Sequence, residues 1–256
     1  MLPLTLAIIT RDEVFRISLA IASVGPVAEI LVLDSGSTDG TVERSRELGA
    51  RVECLDWPGY GAQKNRALDM ATQEWILSID ADEVLSAELL QSIQSLFEGP
   101  MSCSAYAVCR RNHWEGRPVR GGAYGPSWKT RLVRKGSGRW VGGILHETLE
   151  VDAQVGRLQG FLEHTPYRNP EEFRETAENY AILFAKKGMQ EGRRASWWDP
   201  TFRPLLHFVK AYLLKAGFLD GKAGWDLARL EASAVGLKWR SLRSAQGSQD
   251  SEASKE

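Results

Sequence analysis

Residues 75–83 read Trp-Ile-Leu-Ser-Ile-Asp-Ala-Asp-Glu, an apolar run that stops abruptly in three carboxylates. Such a run reads as a buried strand that delivers charge at its carboxyl end, the end where open α/β sheets bind their ligands. Asp80 and Asp82 stand two residues apart with small Ala81 between them, so in an extended chain both side chains leave on one face. Two hard oxygen donors on one face suit Mg²⁺ or Mn²⁺, which keep coordination positions open for water and phosphate. An Asp-x-Asp arises by chance about once in a chain of this size. Its weight therefore comes from its place after a strand and from what surrounds it.

The neighbouring segments repeat one pattern. Residues 4–10 read as a strand and 13–23 as a helix. Residues 29–33 are a second strand, closed by the turn-rich loop Asp34-Ser35-Gly36-Ser37-Thr38-Asp39-Gly40. Residues 41–48 form a helix with Gly49 as its stop, 51–55 a third strand, 61–71 a helix and 75–79 the fourth strand, after which Ser86 caps a helix to about residue 97. Strands alternating with short helices predict a parallel, doubly wound α/β sheet.

With 256 residues, 43% of them hydrophobic, the chain is long enough for one α/β domain with an appendage. A formal net charge of -1 gives no global field for nucleic acid, so any anion site is local. Cys54, Cys103 and Cys109 form no C-x-x-C pair, which fits a reducing compartment and small core residues rather than a zinc site. Residues 2–9 are apolar but follow no basic stretch, so the first strand, not a signal peptide, is expected there, in a cytoplasmic protein. No run approaches the roughly 20 apolar residues of a membrane span.

Common nucleotide motifs fail. Gly59-Tyr60-Gly61-Ala62-Gln63-Lys64 has lysine where the dinucleotide fingerprint needs its third glycine, and no G-K-[ST] exists for a P-loop. Val84 replaces the threonine of an aspartyl phosphatase D-x-D-x-T. What remains is a series of acids at several strand ends. Thr10-Arg11-Asp12-Glu13, Val32 through Thr41, Gly61-Ala62-Gln63-Lys64-Asn65-Arg66-Ala67-Leu68 and Asp80-Ala81-Asp82-Glu83 occur in the order found in the family 2 glycosyltransferases, which the chain closely resembles. The resemblance extends to the bacterial lipopolysaccharide core β-1,4-glucosyltransferases through Trp128-Lys129-Thr130-Arg131-Leu132, Leu145-His146-Glu147, His164-Thr165, Tyr167-Arg168 and the 203–221 segment. It covers roughly residues 3–240.

The resemblance implies a Rossmann-like nucleotide-sugar domain of GT-A type with a mostly parallel sheet, followed by a C-terminal helical extension. It implies Asp34 as the acceptor for the uracil imide N–H, with Thr10 and Glu13 bordering that pocket. Aspartate in such a loop also bonds its own turn, a competing role for Asp34, and the Asp12-Glu13 pair leaves open which carboxylate meets the nucleotide. Asp39, before Gly40 and a helix, is assigned to turn and cap chemistry. Lys64 is expected to meet the donor phosphates, Asp80 to lie near the ribose and Asp82 to hold a Mg or Mn ion, with His164 as a third-ligand candidate.

Beyond residue 105, cations mix with aromatics in a glycine-rich stretch, a composition suited to a phosphorylated saccharide. Trp128, Lys129, Arg131 and His146 are the expected acceptor-binding residues. An inverting transfer needs a base for the attacking hydroxyl, and Glu147, just past Gly142-Gly143, is the expected one; Glu150 and Asp152 are its competitors. The expected organisation is a catalytic domain over 1–168, its donor half to about 100 and its acceptor half from 101. A helical extension over 169–243 and a disordered tail over 244–256 complete it. Apolar residues at helical spacing from Leu205 to Leu219, edged by Lys210, Lys215 and Lys222, read as a helix in the interface of an anionic membrane, with packing on the catalytic domain as the alternative. The reaction expected is hexosyl transfer, of glucose in the first instance, from a UDP-sugar to a lipid-linked saccharide such as inner-core heptose. The place expected is the cytoplasmic face of the inner membrane, with no nucleic-acid partner. Transfer to a polyprenyl phosphate, a nucleotidyltransferase and a non-catalytic sugar-binding module are the competing readings.

Overall fold

The computed structural model describes residues 1–143 and 146–253. Its strands β1 (Leu2–Thr10), β2 (Val27–Asp34), β3 (Arg51–Cys54) and β4 (Trp75–Asp80) are parallel and lie in the order β3-β2-β1-β4. The helices α1 (Val14–Val24), α2 (Thr41–Glu47) and α3 (Tyr60–Met70) connect them, and α4 (Ala87–Glu98) follows. The near-continuous apolar character of β1 and β4 follows from cover on both faces. Leu4, Leu6 and Ile8 with Leu77 and Ile79 pack on one side against Ile17, Ile21, Leu89 and Ile93, while Ala7, Ile9 and Ile76 pack on the other against Ala67 and Leu68. The period of two along each strand thus separates two cores.

The predicted strands and helices of this half are present. Ser86 caps α4 by accepting from the Leu89 N–H at 3.2 Å, and Gly49 takes the positive φ expected at the end of α2. Asp39 accepts from the amides of both Thr41 and Val14, so it serves the start of α1 as well as α2. Past β4 the sheet is antiparallel and continues β8 (Ser127–Arg134), β6 (Ala105–Trp114), β11 (Val155–His164) and β5 (Glu83–Leu85), making the nine-stranded whole mixed. The remaining member, β7 (Arg117–Pro118), pairs with the end of β6; β9 (Gly138–Gly143) and β10 (His146–Val151) form a separate ribbon. Gly160, at φ +88°, lets β11 pass the start of α4, where a Cβ would stand 2.3 Å from the Leu89 nitrogen.

The chain divides into two units: Met1–Arg111 with Ser127–Thr165, and Asn112–Pro126 with Pro166–Glu256. The boundary differs from a single cut near 168 because residues 112–126 pack with the helices of the second unit: the Trp114 and Phe173 rings meet edge to face, and the Asp220 carboxylate accepts from the Arg120 and Gly121 amides. That unit holds α5 (Pro170–Gln190), α6 (Asp199–Val209) and α7 (Gly221–Ala253). Gly188, which falls inside α5, gives the room in which Leu242 of α7 packs. A correction concerns the tail: α7 runs on through residues 244–253, where a polar composition led to an expectation of disorder. Residues 254–256 lie outside the described residues.

Candidate active site

The chain winds outward from β1 to β2 and β3, then returns to place β4 on the other side of β1, so the crevice between β1 and β4 is the switch point at which such sheets bind ligands. The register pairs Thr10 with Asp34 and Ile9 with Asp80, which brings the ends of three neighbouring strands level. Thr10 is buried and its hydroxyl has no partner among the described residues, a polar atom left for something that enters. Asp34 accepts at 2.9 Å from the Gly36 and Ser37 amides and also takes the Ser37 hydroxyl. It does close its own turn, and a carboxylate with about four lone-pair positions keeps one for another donor. Asp12, at φ +54°, accepts from the Thr38 amide, whereas Glu13 bonds Arg16 at 2.6 Å.

At the end of β4 the carboxylates meet cations. Lys64 Nζ lies 2.9 Å from Asp80 Oδ1 and 2.9 Å from Glu147 Oε1, and 4.6 Å above the Trp140 ring. Arg131 reaches Asp80 at 3.1 Å and Glu83 at 2.6 Å. Burial alone would push the Asp80 carboxyl up, but Lys64 and Arg131 hold it far below the usual carboxylate range. Burial lowers the Arg131 guanidinium, and Glu83 and Asp80 more than restore it. Asp82 lies 3.2 Å from His164 Nε2, and the same histidine acts on Asp80. The pairing of β11 with β5 makes that contact, since it sets His164 opposite Glu83 and lets the Thr165 amide bond Asp82 O.

Asp82 and His164 supply one oxygen and one nitrogen side by side, a donor set that fits a divalent cation of the Mg or Mn kind whose other ligands are water and phosphate oxygens. Among the described residues no third His, Cys, Asp or Glu joins them.

Several expected residues stand elsewhere than anticipated. Lys64 is 2% exposed and spends its charge on two carboxylates rather than facing outward to phosphates. Arg131, expected on the acceptor, is 3% exposed and braces the donor-side acids. The β6–β8 register slips between Tyr106 and Ala107, which leaves Arg131 the extra residue of a bulge, and a bulge re-aims its side chain. Trp128 is exposed and stacks with Arg157, and Lys129 is half-buried beside Arg110 and Arg131. Glu147 comes from β10 into the cluster, while Glu150 is exposed on the same strand and Asp152 is exposed just beyond it. The side chain of His146 lies outside the described residues.

Glu83 and Trp140 were not singled out in the sequence. Glu83 is fully buried, accepts from the Asp80 amide at 3.0 Å and anchors Arg131. Trp140 is the floor under both cations and is held by Asn65, which exchanges hydrogen bonds with its backbone at 2.8 and 2.9 Å. The available signal was the Lys64-Asn65 pair: adjacent residues on α3 that grip β10 and β9. Arg66, two residues after Lys64, bonds Asp56.

Residues 13–146 match Glycosyl transferase family 2. The chain is 28% identical over 249 residues to the lipopolysaccharide core biosynthesis glycosyltransferase LpsC of Rhizobium meliloti (strain 1021), covering 91% of this chain and 92% of that one. It is 48% identical over 252 residues to an uncharacterized glycosyltransferase of Rickettsia bellii (strain RML369-C), covering 92% and 84%. Among solved structures, S. aureus TarS 1-349 in complex with UDP-GlcNAc overlaps 98% of this chain and 92% of its own, at 17% identity and a TM-score of 0.46.

Proposed function

The chain belongs to glycosyl transferase family 2, and on that premise we propose that it moves a hexose, glucose in the first instance, from a UDP-sugar to a lipid-linked saccharide such as inner-core heptose of lipopolysaccharide, with inversion at the anomeric carbon. The observation that carries this reading is the Lys64 bridge, which fixes a carboxylate from the second half of the catalytic unit beside the donor-side acids of the strand ends. In-line attack requires a base on the face opposite the departing diphosphate. Glu147 takes the proton of the acceptor hydroxyl as the new bond forms; Asp80 and Arg131 fix the wall against which the ribose lies, and Thr10 with Asp34 borders the uracil. Asp82 and His164 would hold a divalent cation, which when bound neutralises charge on the departing nucleoside diphosphate. Lys64 and Arg131 keep the Asp80 carboxylate ionised despite its burial.

Work at the cytoplasmic face of the inner membrane, as a peripheral protein, is part of the proposal. No described helix is long and apolar enough to cross a membrane. Support comes from the apolar side chains that α6 and the turns after it leave exposed, Phe202, Leu205, Leu206, Leu213, Leu214 and Phe218, with Lys210, Lys215 and Lys222 exposed among them. Apolar bodies edged by cations suit an anionic lipid interface.

The deciding experiment incubates the protein with UDP-glucose, Mn²⁺ and deacylated lipopolysaccharide core. The reading expects UDP release that needs acceptor and metal, and a β-linked product. Release of pyrophosphate from a nucleoside triphosphate would make the protein a nucleotidyltransferase. Absence of UDP release across all UDP-hexoses and acceptors would leave a sugar-binding module, and exclusive use of polyprenyl phosphate would move the acceptor.

A further inference from the structure

Arg110, Lys129 and Arg131 crowd positive charge beside the carboxylate cluster. The β6–β8 ladder sets Lys129 opposite Val108, two residues from Arg110, and Arg131 follows two residues later on β8. Arg131 is committed to Asp80 and Glu83. Arg110 reaches Glu83 only at 3.6 Å, and its buried Nε has no hydrogen-bond partner among the described residues. Lys129 is half-buried and, among the described residues, its ammonium makes no ion pair or hydrogen bond. Burial pushes its amine down, Arg110 and Arg131 push it further, and only Glu147 and Glu83 act the other way. Holding a partly desolvated cation between two others is unfavourable unless an anion joins them.

We propose that Arg110 and Lys129 form an anion subsite for a phosphoryl group carried by the saccharide acceptor, which holds the attacking hydroxyl against Glu147. The inference rests on the glycosyl-transfer reading and adds a substrate class to it. The same chemistry would greet a donor diphosphate, but Asp82 and His164 would hold a divalent cation for that group, and Lys129 feels the field of the base itself.

The test uses the full chain and three probes: inorganic phosphate, UDP, and deacylated core oligosaccharide before and after removal of its phosphates. In the wild type, inorganic phosphate should inhibit transfer competitively with the oligosaccharide and not with UDP-glucose. Lys129→Met should raise KM for the phosphorylated oligosaccharide about 10- to 100-fold, the size of one charge-assisted contact. It should abolish phosphate inhibition and raise the KM of the phosphorylated acceptor far more than that of the dephosphorylated one, with the affinity for UDP within about twofold of wild type, while Lys129→Arg should retain most of the phosphate preference. A parallel loss of UDP affinity would assign the cations to the donor and overturn the proposal, as would equal KM values for the two oligosaccharides in the wild type. If the wild type transfers to no saccharide, the functional reading itself fails. Direct phosphate titration by calorimetry, with Lys129→Met as the control, then separates the two: binding lost in the variant keeps the subsite, and no binding in the wild type removes it.

Discussion

At the scale of the residue, Lys64 is the junction of the site. Its ammonium is all but excluded from solvent and is shared by Asp80, 25% exposed, and Glu147, 17% exposed. Removing one partner of a buried pair strands the other charge, at a cost of about 3–5 kcal/mol when burial is complete. Partial exposure of both acids discounts that figure, so Lys64→Met is expected to lose about 2–3 kcal/mol in urea unfolding and to lower kcat more than the KM for UDP-sugar. Wild-type stability with a KM for UDP-sugar raised more than tenfold would instead put the ammonium on the diphosphate. Asp80, Asp82 and Glu147 were legible as candidates because acid after an apolar run, or after paired glycines, is a local pattern, whereas His164 entered through the family resemblance. The bracing roles of Arg131 and Glu83 were not, because they depend on a one-residue bulge and on the β5–β11 pairing, neither of which leaves a local mark. The part taken by Trp140 could be inferred only from the side chain of Asn65, 75 residues away.

At the scale of the element, the parallel half was readable from alternating periodicity, while the antiparallel half was not, since β5 pairs with β11 and β8 with β4, both far away in the sequence. The stitch at the amino end of the sheet is Glu29 on β2, 9% exposed, which accepts from the Thr5 hydroxyl, from the Thr72 amide at 2.7 Å and from Arg51 at 2.8 Å. Burial raises its carboxyl, but the bonds from Thr5, Thr72 and Arg51 outweigh this and bring it from 4.5 down to about 2. The folded value is depressed, so this stabilisation is fully present above pH 4.5 and is lost as pH falls through about 2. Glu29→Gln should therefore cost about 2–3 kcal/mol near pH 7 and flatten the fall in stability between those two pH values. An unchanged acid limb in chemical denaturation would show that Glu29 is not its source. Gly160 acts one level up, since its missing Cβ lets β11 run close to α4 and so sets His164 beside Asp82.

At the scale of the whole molecule, the chain is a catalytic unit and a helical unit, and residues 112–126 belong to the second although they lie within the sequence of the first. Leu206, Leu213 and Leu214 are each more than half exposed, so glutamate at all three should not disturb the helical core. The triple variant should lose binding to vesicles containing anionic phospholipid in a sedimentation assay yet still glycosylate deacylated core. Vesicle binding equal to wild type would remove the membrane from the account. The central claim is that Glu147 is the base of an inverting transfer, and single-turnover rate measurement of Glu147→Gln at saturating UDP-sugar, acceptor and Mn²⁺, beside its UDP affinity, tests it most directly. The account predicts a rate lowered by roughly 10² to 10⁴ with UDP affinity close to wild type. A Glu147→Gln enzyme that transfers at the wild-type rate, while Asp152→Asn or Glu150→Gln does not, would contradict it.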